Sequence, residues 1–336
     1  MINKIETKGD YNLLIDSIGE LLTNARKTAF QQINNILVIT YWQIGRHIVE
    51  YEQKGNEKAD YGSDLLNRLS KDLKIRYGKG FSRRNILDMR RFYSVFENWQ
   101  TVSAKLSWSH YSLLLSISDD LERSFYEKQC LNEKWSVREL KRQINSALFL
   151  RLAISKDKKG ILDLSSKGQK FEKHSDIVKD PYIFEFLNIP ENYKLSEKNL
   201  EQKLIDNLQR FLLELGKGFA FVARQFRITL ANEHFYVDLV FYHRILKCFV
   251  LIDLKINHIK HHDIGQMNMY LNYFKNEENV ADDSNPIGII LTADKDDIMV
   301  EYALGGISNK LFVSKYQLYL PDKKQLEAKV RALLGR

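Results

Sequence analysis

The sequence predicts an α+β protein in which an all-helical N-terminal half is followed by a mixed β-sheet flanked by helices. Two observations support this prediction. From about residue 11 to residue 150, apolar side chains recur three or four positions apart, which is the period of amphipathic helices. After residue 196 the chain reads as a helix, three strand-like runs, a helix, a short apolar strand and further helices. That order is typical of a sheet covered by helices.

The change of pattern also predicts the domain organisation. A length of 336 residues suggests about two domains. We expect a helical domain over residues 1–154 and a second domain over residues 176–336. The segment 155–175 between them is polar, lysine-rich and short of aromatic residues. These properties favour a connector.

The second half can be read element by element. An amphipathic stretch over residues 196–216 predicts one helix, with Ser196 as its N-cap and Gly216 as its stop. The runs FAFVARQFRIT, HFYVDLVFYH and KCFVLIDLKI are separated by short turn-like pieces, so they predict an antiparallel meander. We then expect a helix at GQMNMYLNYFK, a buried strand at IGIILTA, a helix at DDIMVEYAL, a strand at YQLYL and a C-terminal helix.

Composition narrows the function classes. The formal net charge is +8 and the pI is about 9.1, which favours polyanionic partners such as nucleic acid. The cysteines Cys130 and Cys248 lie far apart, so neither a zinc knuckle nor a disulfide framework is expected. The first residues contain no apolar signal region, and no apolar run approaches the roughly 18–20 residues that span a bilayer. We therefore expect a cytoplasmic protein without a membrane partner.

Three charged residues in the apolar strands could carry chemistry. Asp238 is the only charge in FYVDLVF, and Asp253 and Lys255 lie two positions apart on the next strand, so they share a face. Buried carboxylates are costly unless they are paired or bind a metal. Two carboxylates suit a divalent cation such as Mg²⁺, and a lysine suits the charge that develops in phosphodiester hydrolysis. The alternative is a buried Asp–Lys ion pair that only fixes the strand register.

Longer motifs around these residues resemble a known family. The run from GKGFAFVARQFRITL to GQMNMYLNYF is similar to the C-terminal domain of the bacterial YhcG family, a branch of the PD-(D/E)XK nucleases. The N-terminal segments YWQIGRHIVEYEQ, YGKGFSRRNILDMRRFY, LSWSHYSLLL and WSVRELKRQINS resemble that family's helical domain. The resemblance covers nearly the whole chain. It implies a restriction-endonuclease-like α/β core and metal-dependent cleavage of nucleic acid.

The resemblance also implies a set of catalytic residues. Asp238 matches the first aspartate of the motif, and Asp253 and Lys255 match its (D/E)XK pair. Asp253 replaces the glutamate that is more frequent in the family, which shortens the reach by one methylene. Glu201 matches the additional acidic residue on the preceding helix, and Gln266 matches a glutamine on the following helix. Asp238, Asp253 and Glu201 are then the expected ligands of Mg²⁺ or Mn²⁺.

Nucleic-acid contacts are expected in both halves. The turn GKGFS and the helix after it carry a dense basic segment, which is compatible with a helix-turn-helix-like unit entering a groove. Its expected phosphate contacts are Lys79, Arg83, Arg84, Arg90 and Arg91. The alternative is a solvated helix face. In the second half, Arg224 and Tyr270 are further candidates. A solvated edge-strand role for Arg224 is equally compatible with the sequence, and the sequence favours a packing role for Tyr270.

The function predicted from the sequence is a Mg²⁺-dependent nuclease that hydrolyses DNA, with a structure-specific, resolvase-like activity as one form. Cleavage of RNA stays open, as does assembly into a homodimer, which two cuts on a duplex would suit. The helical half could instead bind a protein partner. Two other hypotheses remain at this stage. The chain could bind nucleic acid without cutting it, or it could dock a partner in a defence or mobile-element system.

Overall fold

A computed structural model describes residues 8–54, 59–96, 105–154, 156–190, 193, 195–294, 297–320 and 322–335. The chain divides into two compact units. The first comprises residues up to 123 together with 134–140, and the second comprises residues 124–133 together with 141 onward. The second unit therefore includes helical segments upstream of residue 154. The predicted domain boundaries remain predictions.

The first unit is helical, as the periodicity predicts. Its helices are α1 (Lys8–Lys54), α2 (Ala59–Tyr77), α3 (Arg83–Val95) and α4 (Trp108–Leu114). The turn between α2 and α3 depends on Gly78 and Gly80, whose φ angles of +83° and +115° favour glycine. Ser82 then accepts a hydrogen bond from the Asn85 N–H and caps α3. The turn-then-helix unit expected at GKGFS is therefore present.

Four further helices follow, and one of them lies in the predicted connector. They are α5 (Asp120–Glu133), α6 (Val137–Asn145), α7 (Leu148–Ile154) and α8 (Lys158–Lys167). Asp157 caps α8 by accepting from the Gly160 N–H at 2.8 Å. Ile161 and Leu164 bury one face of this helix. The polar composition of the segment hid these two apolar positions, which are one turn apart and sufficient to dock a short helix.

A six-stranded mixed sheet forms the centre of the second unit. Its strands are β1 (Tyr182–Ile183), β2 (Phe219–Leu230), β3 (Glu233–His243), β4 (Cys248–His258), β5 (Ile287–Asp294) and β6 (Lys310–Gln317). The strand order is β1-β6-β5-β4-β3-β2. The pairs β2–β3 and β3–β4 are antiparallel, whereas β4–β5, β5–β6 and β1–β6 are parallel. The predicted meander and the predicted mixed sheet are both confirmed.

Helices cover both faces of this sheet. The helices on the sheet are α9 (Glu197–Asp206), α10 (Leu208–Leu215), α11 (His261–Tyr273) and α12 (Asp297–Leu304), whereas α13 (Lys323–Leu334) packs on α7. One core joins α9 and α10 to the sheet and contains Leu200, Phe211 and Ile252. The other joins α11 to the opposite face and contains Leu251, Met267 and Ile290. Alternate residues of β4 thus enter different cores, as the pleat requires.

Two element predictions are wrong in detail. The helix expected over residues 196–216 begins after the Ser196 cap and ends at Gly216, but it breaks at Asn207 into α9 and α10. The last strand runs over Lys310–Gln317 rather than YQLYL. Ser314 is buried in that strand beside Val313, and one polar residue in the middle of the run disguised it.

Candidate active site

The site forms where β3 separates from β4. The two strands pair in the antiparallel direction. His243 of β3 is opposite Cys248 of β4 at one end, and Leu239 is opposite Ile252 at the other, where the pairing stops. Asp238 is the next residue of β3, and its Oδ2 accepts a hydrogen bond from the Leu254 N–H at 2.8 Å. The carboxylate therefore takes the place of a strand partner. It holds the two strands at a fixed spacing and is itself held in one orientation.

Asp253 and Lys255 lie beside Asp238 on β4. Lys255 Nζ is 2.8 Å from Asp253 Oδ2. Asp253 is only 5 % exposed. Burial, together with the negative charge of Asp238, raises the pKa of Asp253 to about 7. Burial also raises the pKa of Asp238, although the Leu254 N–H opposes that shift. The pair thus has more negative charge than its protein surroundings neutralise.

The charge on Lys255 is strongly stabilised. Burial by itself would lower the pKa of Lys255, but the adjacent Asp253 carboxylate more than offsets this and the pKa is raised. Asp263 Oδ1 is a second acidic neighbour, 3.7 Å from Lys255 Nζ. Lys255 is therefore held as an ammonium group in this arrangement.

Glu201 reaches the same place from α9. Its side chain is buried, and Oε2 accepts a hydrogen bond from Gln225 Nε2 at 2.6 Å. The same amide nitrogen donates to Asp238 Oδ1 at 3.0 Å. Arg224 Nε lies 3.1 Å from Glu201 Oε1, and Arg224 Nη1 donates to Gln202 Oε1 at 3.0 Å. Gln225 thus bridges the acid on the helix to the acid on the strand.

The backbone of β2 is distorted to present Gln225. A register shift between Phe221 and Ala223 changes the pairing with β3, so that Arg224 pairs with Leu239 and Phe226 with Val237. Gln225 consequently faces Asp238. Its φ angle is +46°, a left-handed conformation that non-glycine residues seldom adopt within a strand. Such conformations cost about 1–3 kcal/mol and are concentrated at functional sites.

Gln266 and Tyr270 lie on α11, one helical turn apart. Gln266 Nε2 donates to Tyr270 Oη, which in turn donates to the Tyr236 carbonyl at 3.1 Å. Burial and the nearby Asp253 and Asp238 carboxylates raise the pKa of Tyr270. The ring of Tyr270 is fully enclosed in the core under α11. A buried ring does not reach nucleic acid, so the contact expected of Tyr270 is corrected to a packing role. Tyr270 instead anchors Gln266 to β3.

The donor set of this site suits a hard divalent cation. Asp238, Asp253 and Glu201 offer carboxylate oxygens, which are the ligands that Mg²⁺ and Mn²⁺ prefer. Glu201 Oε1 is buried and, apart from its ion pair with Arg224 Nε at 3.1 Å, accepts no hydrogen bond from the described residues. Burial and the Asp238 charge raise the pKa of Asp253, so the protein alone does not fully stabilise its ionised form. Within the described part of the chain, however, no three acidic, histidine or cysteine groups converge in a metal-binding arrangement. Gln225 and Lys255 occupy oxygens that such an arrangement would need.

The basic residues of the first unit differ in exposure. Lys79, Arg83, Arg84 and Arg91 are exposed on the turn and on α3. Arg90 is half-buried, and its Nε lies 2.7 Å from Glu52 Oε2 on α1. Four of the five expected phosphate contacts are therefore accessible, whereas Arg90 is held in an ion pair within the unit.

Three site residues were missed or undervalued in the sequence. Gln225 has no local sequence feature that places it in the site, and only the register shift aligns it with Asp238. Asp263 accepts from the Lys260 N–H at 2.8 Å at the start of α11. Glu197 Oε1 accepts from the Ile256 N–H at 3.4 Å, next to Lys255. Glu197 stands four residues before Glu201, and this spacing on one helix face was the available signal.

The fold and the site together define a nuclease domain of the PD-(D/E)XK class. Residues 175–331 match the YhcG PDDEXK nuclease domain, and residues 17–151 match the DUF1016 N-terminal domain. The Escherichia coli (strain K12) protein YhcG is 39 % identical over 352 residues, covering 95 % of this chain and 93 % of that protein. The chain belongs to the YhcG family. The family and the enzyme class expected from the sequence motifs are confirmed.

Solved structures resemble this chain less closely than the E. coli protein does. The crystal structure of a repair endonuclease from Pyrococcus abyssi is 19 % identical, covers 39 % of this chain and 50 % of that chain, and has a TM-score of 0.26. A complex of EndoMS with double-stranded DNA is 15 % identical, covers 40 % of this chain and 51 % of that chain, and has a TM-score of 0.28. The chain thus spans about half the length of these proteins.

Proposed function

We propose that this chain is a divalent-metal-dependent DNA endonuclease whose reaction centre is Asp238, Asp253 and Lys255, assisted by Glu201 and Gln266. The observation that carries the proposal is the gathering of two carboxylates and an ammonium group where β3 parts from β4. Mg²⁺ or Mn²⁺ is the expected cofactor, held by Asp238, Asp253 and Glu201. Such a cation would polarise the phosphate and lower the pKa of an attacking water.

The geometry suggests a distinct task for each side chain. Asp238 is held by the Leu254 N–H, so its remaining oxygen keeps one direction without reorganising during the reaction. Lys255 is a permanently charged donor that can stabilise the negative charge developing on the phosphate oxygens. Gln266 is anchored through Tyr270 and could hydrogen-bond the water or the phosphate from the α11 side. Arg224, at the sheet edge and 39 % exposed, could contact the next phosphate of the strand.

DNA is the proposed substrate, with branched DNA as the preferred form to test first. The net charge of +8 and the exposed arginines of α3 support a polyanionic substrate. A homodimer, a protein partner and a cytoplasmic location stay part of the proposal. None of the helices in the described part of the chain is long and apolar enough to cross a membrane.

A second function has one specific observation in its favour. In the described residues, Gln225 and Lys255 already satisfy oxygens of Glu201, Asp238 and Asp253. A site closed in this way would suit a protein that binds nucleic acid without cutting it. The two functions differ in one measurable property, since only the enzyme must open this cluster to a cation.

The test is incubation of the purified chain with plasmid, branched and single-stranded DNA, with Mg²⁺ or Mn²⁺ and with EDTA. We expect metal-dependent cleavage that Asp238→Ala and Asp253→Ala abolish. Asp163→Ala, at an exposed acid outside the site, serves as the matched control. Unchanged cleavage in both site variants would contradict the assigned centre. Binding of DNA without cleavage in either metal would favour the non-cutting function.

A further inference from the structure

The N-terminal half of α1 presents an apolar stripe that no described part of the chain covers. Every residue from Tyr11 to Ile33 is exposed, a length of roughly 34 Å at 1.5 Å per residue. Leu14 is 55 % exposed, Ile18 44 %, Leu21 70 % and Leu22 53 %. Because most of the stability of a protein helix comes from packing of its apolar face, this half of α1 needs a partner.

The stripe has the spacing of a coiled-coil seam. Apolar positions recur at alternating steps of four and three residues from Tyr11 through Ile15, Ile18 and Leu22, and steps of four and three continue to Ile36. The members of this seam are Tyr11, Ile15, Ile18, Leu22, Ala25, Ala29, Ile33 and Ile36. Charged residues such as Asp16, Glu20 and Lys27 lie off the seam. The exposed apolar residues Leu13 and Phe30 also lie off the seam.

The helices that pack on the second half of α1 cannot cover this stripe. The buried face of that half contains Val38, Trp42 and Ile48. At 100° per residue, Ile36 and Val38 lie about 200° apart around the helix. Ile36 is accordingly 63 % exposed whereas Val38 is fully buried. The seam and the packed face point in nearly opposite directions.

We propose that the stripe is a self-association surface, on which α1 of a second copy packs in the antiparallel direction. The area supports this occupant. With Leu14 and Leu21 included, eight large apolar side chains expose roughly 800 Å² in total, and a stable interface needs about 800 Å² per partner. That patch is larger than the 300–600 Å² typical of the largest patch on a monomer.

The antiparallel direction follows from side-chain size. With a twofold axis between Thr23 and Asn24, Leu22 packs on Ala25 of the second copy and Ile18 on Ala29 of the second copy. Each of these large residues then meets a small one, and Tyr11 meets Ile36 of the second copy. A parallel pair in register would place Ala25 on Ala25 and leave a void in that layer. The stripe is thus self-complementary when it is turned end for end, which a twofold axis perpendicular to the helices produces.

Charge is compatible with this arrangement. In the antiparallel register, Arg26 of one copy faces Gly19 of the other. Nothing lies within 4 Å of the space that a Cβ at Gly19 would fill. Gly19 has no side chain, so the guanidinium group of Arg26 stays in solvent there and meets no like charge. Arg26 is exposed in the single chain.

The experiment is sedimentation equilibrium of the full chain, whose mass is 39.5 kDa, at concentrations from about 0.5 to about 50 μM. We expect a dimer for the natural sequence and at least a hundredfold weaker association for the Ile18→Glu, Leu22→Glu double variant. The matched control is Asn24→Glu with Gln31→Glu, which adds the same charge on the opposite face and should leave the dimer intact. Circular dichroism checks that helix content is retained. A monomer for the natural sequence, or an undiminished dimer for the double variant, overturns the proposal.

Disulfide trapping tests the direction. A Leu22→Cys chain mixed with an Ala25→Cys chain should form a 22–25 cross-link on mild oxidation. The natural Cys130 and Cys248 are buried and should not compete. Cross-links that join identical positions instead overturn the antiparallel register. Protection of the stripe from hydrogen exchange in a chain that sediments as a monomer would show that another part of the same chain covers it, which also overturns the proposal.

Discussion

Two clusters of buried charge in the second unit have opposite balance. One surrounds Glu214 on α10, and the other is the Asp238–Asp253 pair with Lys255. Glu214 is fully buried, yet its Oε1 is 2.7 Å from Arg151 Nη1 and accepts from the Ile183 N–H at 3.0 Å. Lys179 donates to the Glu214 carbonyl. Burial alone would raise the pKa of Glu214, but the positive charges of Arg151 and Lys179 more than offset it, so the pKa is lowered.

The acidic pair has the reverse electrostatics. Two carboxylates share one ammonium group, and the pKa of Asp253 rises to about 7. A cluster in which cations exceed anions has its negative charge neutralised within the protein, and this one holds α7, α10 and β1 together. A cluster in which anions exceed cations is incomplete and suits an external cation. Charge balance, more than burial, therefore distinguishes the proposed reaction centre from the Glu214 cluster.

The largest expected effect is on catalysis. Asp238→Asn and Asp253→Asn remove cation ligands, so we expect each to reduce the cleavage rate by on the order of 10³-fold. Stability should be unchanged or higher, since each variant removes one of two mutually repelling carboxylates. Cleavage rates on plasmid DNA and urea denaturation measure the two properties. Loss of stability with full cleavage would reverse the assignment of the cluster.

The second effect is on stability. Glu214→Ala leaves Arg151 buried without its partner, and breaking a buried ion pair in this way typically costs about 3–5 kcal/mol. The midpoint of urea denaturation should fall accordingly, while the cleavage rate of the remaining folded protein stays unchanged. Asp163→Asn, which disrupts the exposed Lys167–Asp163 pair on α8, should give no measurable change. Equal effects of the two variants would show that the Glu214 cluster is not structural.

The third effect depends on pH. The folded protein raises the pKa of Asp253 from 3.8 to about 7, so between these values the folded state binds a proton that the unfolded state has lost. The contribution of Asp253 to stability is therefore highest at low pH and falls as pH rises through this window, by roughly 2 kcal/mol between pH 5 and pH 7. We expect that fall in the metal-free natural chain and not in Asp253→Asn. Urea denaturation at several pH values in EDTA measures it, and equal pH dependence in both chains would contradict it.

How much of the site could be predicted from the sequence depends on how far apart in the chain the contacting residues lie. Asp253 and Lys255 are two residues apart on one strand, so their shared face follows from the pleat. Asp238 was predictable as their neighbour because short turns join the strands. The role of Gln225 could not be predicted, because its position opposite Asp238 depends on a register shift a few residues earlier. The buried Glu214–Arg151 contact joins residues 63 positions apart, and no local pattern reports such a pair.

Prediction of the fold is likewise limited by how far apart in the chain the contacting residues lie. The antiparallel meander was predictable from alternation and turn spacing, whereas β1 has only two residues and pairs with β6 far along the chain. The predicted connector contains α8 because a short helix needs only a few apolar contacts. Local periodicity therefore specifies the elements of the site well, and tertiary packing decides their ends.

A smaller effect is expected on metal affinity. Gln225 Nε2 donates to both Glu201 and Asp238, and a cation must compete with these hydrogen bonds. Gln225→Ala should therefore bind Mn²⁺ about five times more tightly, a change of roughly 1 kcal/mol. Calorimetric titration of the metal alone measures this without any substrate. Gln325→Ala on the exposed face of α13 is the control. Weaker Mn²⁺ binding by Gln225→Ala would show that Gln225 helps to hold the cation.

The smallest effect extends the charge-balance argument to the first unit. Arg90 is balanced by Glu52, whereas Arg83 and Arg84 are exposed at the start of α3. If exposed arginines contact phosphates, Arg83→Ala and Arg84→Ala should each weaken DNA binding slightly and reduce the slope of log K against log salt by about one. Arg90→Ala should leave that slope unchanged, because its guanidinium group is already neutralised. Binding isotherms at several salt concentrations give the slopes. An equal loss of slope in Arg90→Ala would mean that the Arg90–Glu52 pair opens on DNA, and that charge balance in the free protein does not predict which arginines bind phosphate.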